Sequence, residues 1–184
     1  MNIVHLLRIG KVEASLLERL AEAIPQLLPV RCEILPFDLD PLPAYHEERQ
    51  QFHSSEMLQR MSGLMQPKDW RFLGIANLDL YIPILKYVFG EAQVGGPCAL
   101  VSTHRLGQEF YGLATDQDLL SERLLKEAIH ELGHTFDLRH CQDYNCVMAS
   151  SHAVEWIDLR GRTFCNSCRA QLDERISSSS AGMR

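Results

Sequence analysis

His130-Glu131-Leu132-Gly133-His134-Thr135-Phe136-Asp137-Leu138-Arg139-His140-Cys141 places three histidines at relative positions 0, 4 and 10, with a carboxylate beside the first. Residues four apart on an α-helix lie on nearly the same face, so the imidazoles of His130 and His134 can reach one ion together. These are the parts needed to hold Zn²⁺ and activate a water on it. Glu131 then sits next to the metal without binding it. A carboxylate there can take a proton from the water, whose pKa zinc lowers to about 7, and hand it to the leaving group. His140 would be about 9 Å beyond His134 if the helix continued at ~1.5 Å per residue, too far to share the ion. The helix must therefore stop and the chain turn back near Asp137, which leaves a fourth tetrahedral position open. A two-histidine, one-carboxylate site using Asp137, as in some iron enzymes, fails on the same ground: residues 130 and 137 would be about 10.5 Å apart along a continuous helix. Composition alone yields HExxH about once in forty such chains, and with the further histidine about once in a thousand, which removes most of the weight from surface histidines on an amphipathic helix.

The flanks agree with a helix that is packed on one side and open to a cleft on the other. Leu120, Leu124, Leu125, Ala128, Leu132 and Phe136 recur at helical spacing, opposite the two histidines. Asp116 and Asp118 offer N-cap oxygens just before the stripe begins.

A second constellation starts at Cys141. Cys141, Cys146, Cys165 and Cys168 form a C-x4-C and a C-x2-C pair, a spacing suited to a closed, structural zinc site with four thiolate ligands. The alternative is a pair of disulfides. The amino terminus lacks the basic and apolar pattern of a secretory signal, so a cytoplasmic chain with reduced thiols is expected and zinc is favoured. Cys32 and Cys98 lie in apolar stretches and read as small buried residues.

HExxH, then xxDxxHC, four residues, C-x-M and a later CxxC resemble the archaemetzincin family of metzincin-type zinc peptidases. Weaker resemblance extends through Arg49-Gln-Gln-Phe-His-Ser-Ser, Asp79-Leu-Tyr-Ile-Pro and Val88-Phe-Gly-Glu-Ala. The resemblance implies a catalytic zinc at His130, His134 and His140, Glu131 as general base, a second zinc at the four cysteines, and hydrolysis of a peptide or protein substrate. It also places Met148 in a Met-turn beneath the zinc-bound histidines. The family pattern has Gly where this chain has Asp137. Residue 137 is expected in the left-handed region, which Asp tolerates better than most residues, with its carboxylate turned from the zinc onto a backbone N–H.

The fold class expected is α/β (α+β) and metzincin-like: a mixed twisted sheet, two or three helices including the active-site helix, and a small zinc-stapled C-terminal lobe. At 184 residues and 46% hydrophobic the chain suits one domain over residues 1–176. Its subdomains divide near residue 137 (about 1–137 and 138–176), and residues 177–184 read as a disordered tail. Strands are expected over 2–8, 30–35, 70–76 and 98–103, and an exposed edge strand and loop over 81–94. A helix is expected from Gly10 to near Pro25 and another over 47–65 with Phe52, Leu58 and Met61 inward, with 36–43 as loop. In metzincin-like folds that edge borders the cleft and can pair with a peptide. No run approaches ~20 apolar residues, so no membrane span is expected. A net charge of −6 argues against nucleic-acid and anionic-membrane partners. A monomer is the simplest expectation.

Other residues carry weaker readings. His104 with Arg105 could meet a substrate carboxylate, but reads better as a polar strand end. His46, His53 and His152 have no partner at ligand spacing and read as surface residues. Tyr111 and Tyr144 could each offer a phenol to an oxyanion, and Glu91, Glu109 and Asp116 could anchor a substrate amino group. A non-catalytic zinc module that binds a partner in its cleft is the competing function. Glu131 discriminates, because a purely structural three-histidine site needs no carboxylate there.

Overall fold

The computed structural model describes residues 2–181. The chain begins with strand β1 (Ile3–Ile9) and helix α1 (Ala14–Leu27), whose Leu16, Leu17, Leu20 and Ile24 share a buried face. Strand β2 (Arg31–Leu39) follows, then a hairpin of β3 (Tyr45–His46) and β4 (Gln51–His53), and helix α2 (Ser54–Leu64). Strands β5 (Arg71–Ala76), β6 (Leu80–Ile82), β7 (Leu85–Val88), β8 (Gly90–Ala92) and β9 (Cys98–Ser102) lead to the long helix α3 (Gln117–Thr135). Helices α4 (Val154–Leu159) and α5 (Asn166–Ala181) complete the described chain.

The strands form two sheets, a five-stranded one in the order β2-β1-β5-β9-β8 and a four-stranded one in the order β3-β4-β6-β7. The first is parallel except for β8, which runs antiparallel along β9 at the edge. Both faces of this sheet are covered, so its central strands read as continuous apolar runs: all five residues of β9 are buried. Val4, Leu6, Leu73, Ile75, Ala99 and Val101 pack toward α1 and α3, while Leu7, Ile9, Phe72, Cys98 and Leu100 pack toward α2. Alternation of side chains across the pleat assigns neighbouring residues to the two cores.

Several expectations are corrected. The α/β class with a mixed sheet is as expected, but the described residues add a second sheet to it and hold five α-helices where two or three were expected. Strand β2 runs on through Pro36 to Leu39 because the β1–β2 register shifts between Leu6 and Arg8; a bulge accepts a residue with no N–H. Helix α2 begins only at Ser54. Glu47–Gln50 close a turn instead, with Gln50 at φ 52° and the N–H groups of Arg49 and Gln50 bonded to the His46 and Glu47 carbonyls, which leaves Phe52 on a strand. The serine run expected as disordered is helical to Ala181, with the Ser177 and Ser178 hydroxyls donating to the Asp173 and Glu174 carbonyls; residues 182–184 lie outside the described residues.

Helix α3 starts at Asp116, whose carboxylate accepts from the Leu119 N–H. It ends where expected. Asp137 sits at φ 62°, its N–H bonds the His134 carbonyl at 2.9 Å, and the Leu138 N–H reaches back to the Gly133 carbonyl at 3.2 Å. This is a Schellman closure, built on a left-handed residue that is usually Gly. The Gly95 N–H adds a bond to the His134 carbonyl at 2.9 Å. The Asp137 carboxylate does not take the expected backbone N–H. It faces Arg139 at 3.5 Å and Arg175 of α5 at 3.3 Å.

Left-handed strain of about 1 kcal/mol and an exposed ion pair of about 0.2–1 kcal/mol nearly cancel at this position. Asp137→Gly should therefore keep the thermal midpoint within a few degrees, while Asp137→Val, which can neither pair nor relax into φ > 0, should lower it by more. Calorimetry of both variants checks this; equal midpoints would show that position 137 carries no conformational constraint.

Candidate metal centre

Helix α3 presents His130 and His134 on one face, and the reversal at Asp137 returns His140 against them. The Nε2 atoms of His130 and His134 are 3.1 Å apart. The His140 ring centroid lies 5.3 Å from that of His130 and 5.0 Å from that of His134. One nitrogen of each ring falls within 4.8 Å of the other two. Imidazole nitrogens at ~2.0–2.1 Å from one tetrahedral zinc are about 3.4 Å apart, so the constellation has the dimensions of a zinc site.

The tautomers follow from the partners. His130 Nδ1 is 2.8 Å from the Val147 carbonyl and His134 Nδ1 is 2.7 Å from the Leu138 carbonyl. A carbonyl only accepts, so each Nδ1 carries the proton and each Nε2 turns a lone pair toward the other. Two facing lone pairs repel unless a cation lies between them. Burial, then the charge of Arg160, holds His130 well below the ordinary histidine pKa. Burial likewise lowers His134 and His140, which favours the neutral ring, the form that binds metal.

Glu131 is buried beside His130. Desolvation first, then the nearby carboxylate of Glu127, raises its pKa well above the usual carboxylate range. Its side chain lies over the backbone of β8, where a Cβ on Gly90 would come within 2.8 Å of Glu131 Cγ and 2.7 Å of the Leu100 carbonyl oxygen. Gly133 has a comparable role inside the motif: a Cβ there would overlap the Met148 sulfur and approach its methyl carbon to 3.1 Å. Met148 is fully buried under the turn that carries the histidines.

The four cysteines also converge, with all four sulfurs within 4.8 Å of one another and those of Cys141 and Cys165 3.8 Å apart. All are free thiols. Four sulfurs at ~2.3 Å from zinc stand about 3.8 Å apart, whereas a disulfide requires ~2.0 Å. Backbone N–H groups of Asp143, Met148 and Cys165 point at the sulfurs of Cys141, Cys146 and Cys146 at 3.3–3.4 Å, as thiolates require. Cys32 and Cys98 stay apart; burial pushes the Cys32 thiol up to about 12.

Comparison with known proteins bears on this geometry. The profile of peptidase family M54 matches residues 44–174. The archaemetzincin of Methanocaldococcus jannaschii is 38% identical over 167 residues, 91% of this chain and 90% of that protein. The chain belongs to peptidase family M54, the archaemetzincins. It is accordingly a zinc metallopeptidase. Among solved structures of the family, the archaemetzincin of Methanopyrus kandleri superposes with a TM-score of 0.83 at 34% identity, covering 96% of each chain. That of Archaeoglobus fulgidus, crystallised with malonate, gives 0.79 at 32% identity over 92% of this chain and 99% of that one.

A cavity of about 390 Å³ opens beside the histidines, lined by His130, Glu131 and His140, by the segment Leu85–Gly90, and by Ser150–His152. Sequence reasoning missed two of its walls. Glu127, one turn before Glu131, is fully desolvated, and Arg160, 3% exposed, donates to it at 2.5 Å. Arg160 also donates to the Ala149 carbonyl at 2.9 Å and the Ser151 hydroxyl at 3.2 Å. Its 3.1 Å approach to His130 Nδ1 is contact between two N–H groups, because that nitrogen already donates to Val147. No local signal in the sequence marked this pair, whose members are 33 residues apart.

The weaker candidates fall elsewhere. Arg105 is held by Asp79 through bonds of 2.6 and 2.8 Å, and His104 packs on Phe110. The Tyr111 hydroxyl donates to the Arg105 carbonyl, and Tyr144 is 74% exposed. The phenol at the cavity is Tyr87, bonded to the His152 carbonyl at 3.0 Å; His152 thus borders the cleft. Asp116 is spent on its helix cap, Glu109 is exposed, and Glu91 accepts from Ser54 and Ser55 at the start of α2. His46 and His53, expected to lack partners, meet at Glu56.

Breaking a buried ion pair from one side strands the other charge and costs about 3–5 kcal/mol, whereas apolar replacement of both partners is often near neutral. Arg160→Met should therefore destabilise strongly and Arg160→Met with Glu127→Leu much less, as read by urea unfolding of the zinc-loaded protein. A double variant as unstable as the two single losses combined would mean that the pair is not coupled.

Proposed function

We propose that the chain hydrolyses peptide bonds with a zinc ion held by His130, His134 and His140, that Glu131 is the general base, and that a second, structural zinc sits among Cys141, Cys146, Cys165 and Cys168. The observation that carries this reading is the convergence of three neutral imidazoles, two with their protons fixed on Nδ1 by carbonyls, beside a buried carboxyl that bonds none of them. When bound, zinc supplies Lewis acidity, lowering the pKa of a coordinated water to about 7 and polarising the scissile carbonyl.

The chain's own groups do the rest. The Glu131 carboxylate takes a proton from the attacking water and returns it to the leaving amine, a transfer worth roughly 10²–10⁴ in rate. Its desolvated position makes it a stronger base than a carboxylate in water. Residues Leu85–Gly90 rim the cavity, and an extended substrate lies along them. Burial, and behind it the charge of Arg160, disfavour protonation of the His130 ring. Met148 supports the helix turn from beneath. Both zinc sites adjoin the end of α3 and divide a single domain of residues 1–176 near residue 137. The reading places a monomeric chain in the cytoplasm, where the thiols stay reduced.

Glu131→Ala should keep both zinc ions and lower peptide hydrolysis by about 10²–10⁴. A wild type that cleaves no member of a broad peptide library, or a variant as active as wild type, overturns the proposal. A chelator should strip the three-histidine zinc first and abolish activity with the fold intact, since the four-thiolate site is closed and binds more strongly. Metal analysis that finds a single zinc per chain, unchanged by Cys165→Ser, would remove the four-cysteine site.

A further inference from the structure

A third cluster of metal-ligating side chains lies at the β3–β4 hairpin, outside the cleft. His46 pairs with Gln51 across the hairpin, and His53 follows Gln51 by two residues, so the two histidines project from one face of the ribbon. The left-handed Gln50 sets this register. His53 is also the N-cap of α2, and Glu56, three residues on, returns its carboxylate over the hairpin. One Glu56 oxygen stands 2.9 Å from His53 Nδ1 and 3.4 Å from His46 Nε2. A donor atom from each of the three residues lies within 4.8 Å of the other two. The two separations from the Glu56 oxygen bracket the ~3.3 Å between neighbouring ligands of a tetrahedral ion with bonds near 2.0–2.1 Å.

The cluster is held in place by its surroundings. Tyr81 stacks on the His53 ring with centroids 5.2 Å apart and meets the His46 ring edge-on at 5.6 Å. Among the described residues no Lys or Arg pairs with Glu56, and its hydrogen bond from His53 favours the ionised carboxylate. Arg49 lies over Tyr81 at 4.1 Å from the ring centroid, so it is engaged with the ring and with Gln51. A simple hydrogen-bonded triad, with both rings donating to Glu56, is the competing explanation. It would use the same side chains and bind no metal.

We infer that His46, His53 and Glu56 form a third divalent-metal site, taking Zn²⁺ or a cation of similar borderline character through two imidazoles and one carboxylate. Neutral nitrogens and a carboxylate suit such ions rather than Ca²⁺ or Mg²⁺, which take oxygen ligands. The side chains of His46 and Glu56 are 44% and 41% exposed, so the site opens to solvent and exchanges its ion freely. A metal there ties the hairpin to the start of α2, where Ser54 and Ser55 hold Glu91 of the cleft-bordering strand β8.

The test is zinc titration by calorimetry of the untagged full chain, already loaded with zinc and cleared of free metal, beside His46→Ala and Glu56→Gln. Because wild type and variants are compared, the result does not depend on how many ions the other two clusters hold. The inference requires one additional equivalent in the wild type, weakened on the order of 100-fold in each variant. With Co²⁺ in place of zinc, that equivalent must show weak visible d–d bands without thiolate charge transfer. His46 is exposed, so its replacement leaves the fold intact, and an unchanged melting curve without metal confirms this. No additional equivalent, or one that both variants retain, means a hydrogen-bonded triad only and overturns the inference.

Discussion

The left-handed residue at position 137 joins the two halves of this protein's chemistry. Helix α3 supplies two imidazoles at fixed spacing, but a helix cannot supply a third ligand six residues on. The Schellman closure at Asp137 and Leu138 converts a rod into a corner, and everything after it, from His140 to the cysteine cluster, takes its position from that corner. The same closure frees the Leu138 carbonyl to accept from His134 Nδ1, so the turn that recruits one histidine also orients another.

Around this corner the fold buries charge at an unusual density. Glu127, Glu131 and Arg160 are each at most 6% exposed, and they sit against three imidazoles. The arrangement is tolerable because every group but Glu131 has a counterpart and Glu131 has room. Arg160 offsets Glu127, carbonyls satisfy both Nδ1 protons, and glycines at 90 and 133 admit Glu131 and Met148 at distances no side chain would allow. Burial first, then Arg160, depresses His130, and burial first, then Glu127, raises Glu131. Burial, helped by the charges of the Arg160–Glu127 pair, thereby favours neutral candidate ligands and a basic Glu131.

Much of this was legible in the sequence, and for a physical reason. The helix, its N-cap at Asp116, the stop near Asp137 and the cysteine cluster are set by short-range geometry, which residue spacing encodes directly. Asp137 in the left-handed region follows from the need to bring His140 back. The pairing of Arg160 with Glu127 was not legible, because the residues are 33 apart and nothing local marks either one. The same holds for His46, His53 and Glu56. Their meeting depends on a four-residue turn closed by a left-handed Gln50, where periodicity suggested an unbroken helix from residue 47. The split into two sheets was hidden likewise, since β3, β4, β6 and β7 are two to four residues long and their two short hairpins are joined through the β4–β6 pairing of Phe52 with Leu80 and His53 with Tyr81.

The central claim is that residue 137 reverses the chain so that His140 completes a metal site with His130 and His134. Crystallography of the zinc-loaded protein with anomalous data at the zinc edge tests it most directly. The account predicts a peak bonded to Nε2 of His130 and His134 and to one nitrogen of His140, with residue 137 at positive φ. A peak that lacks His140, or α3 continuing through residue 137 at negative φ, would contradict it.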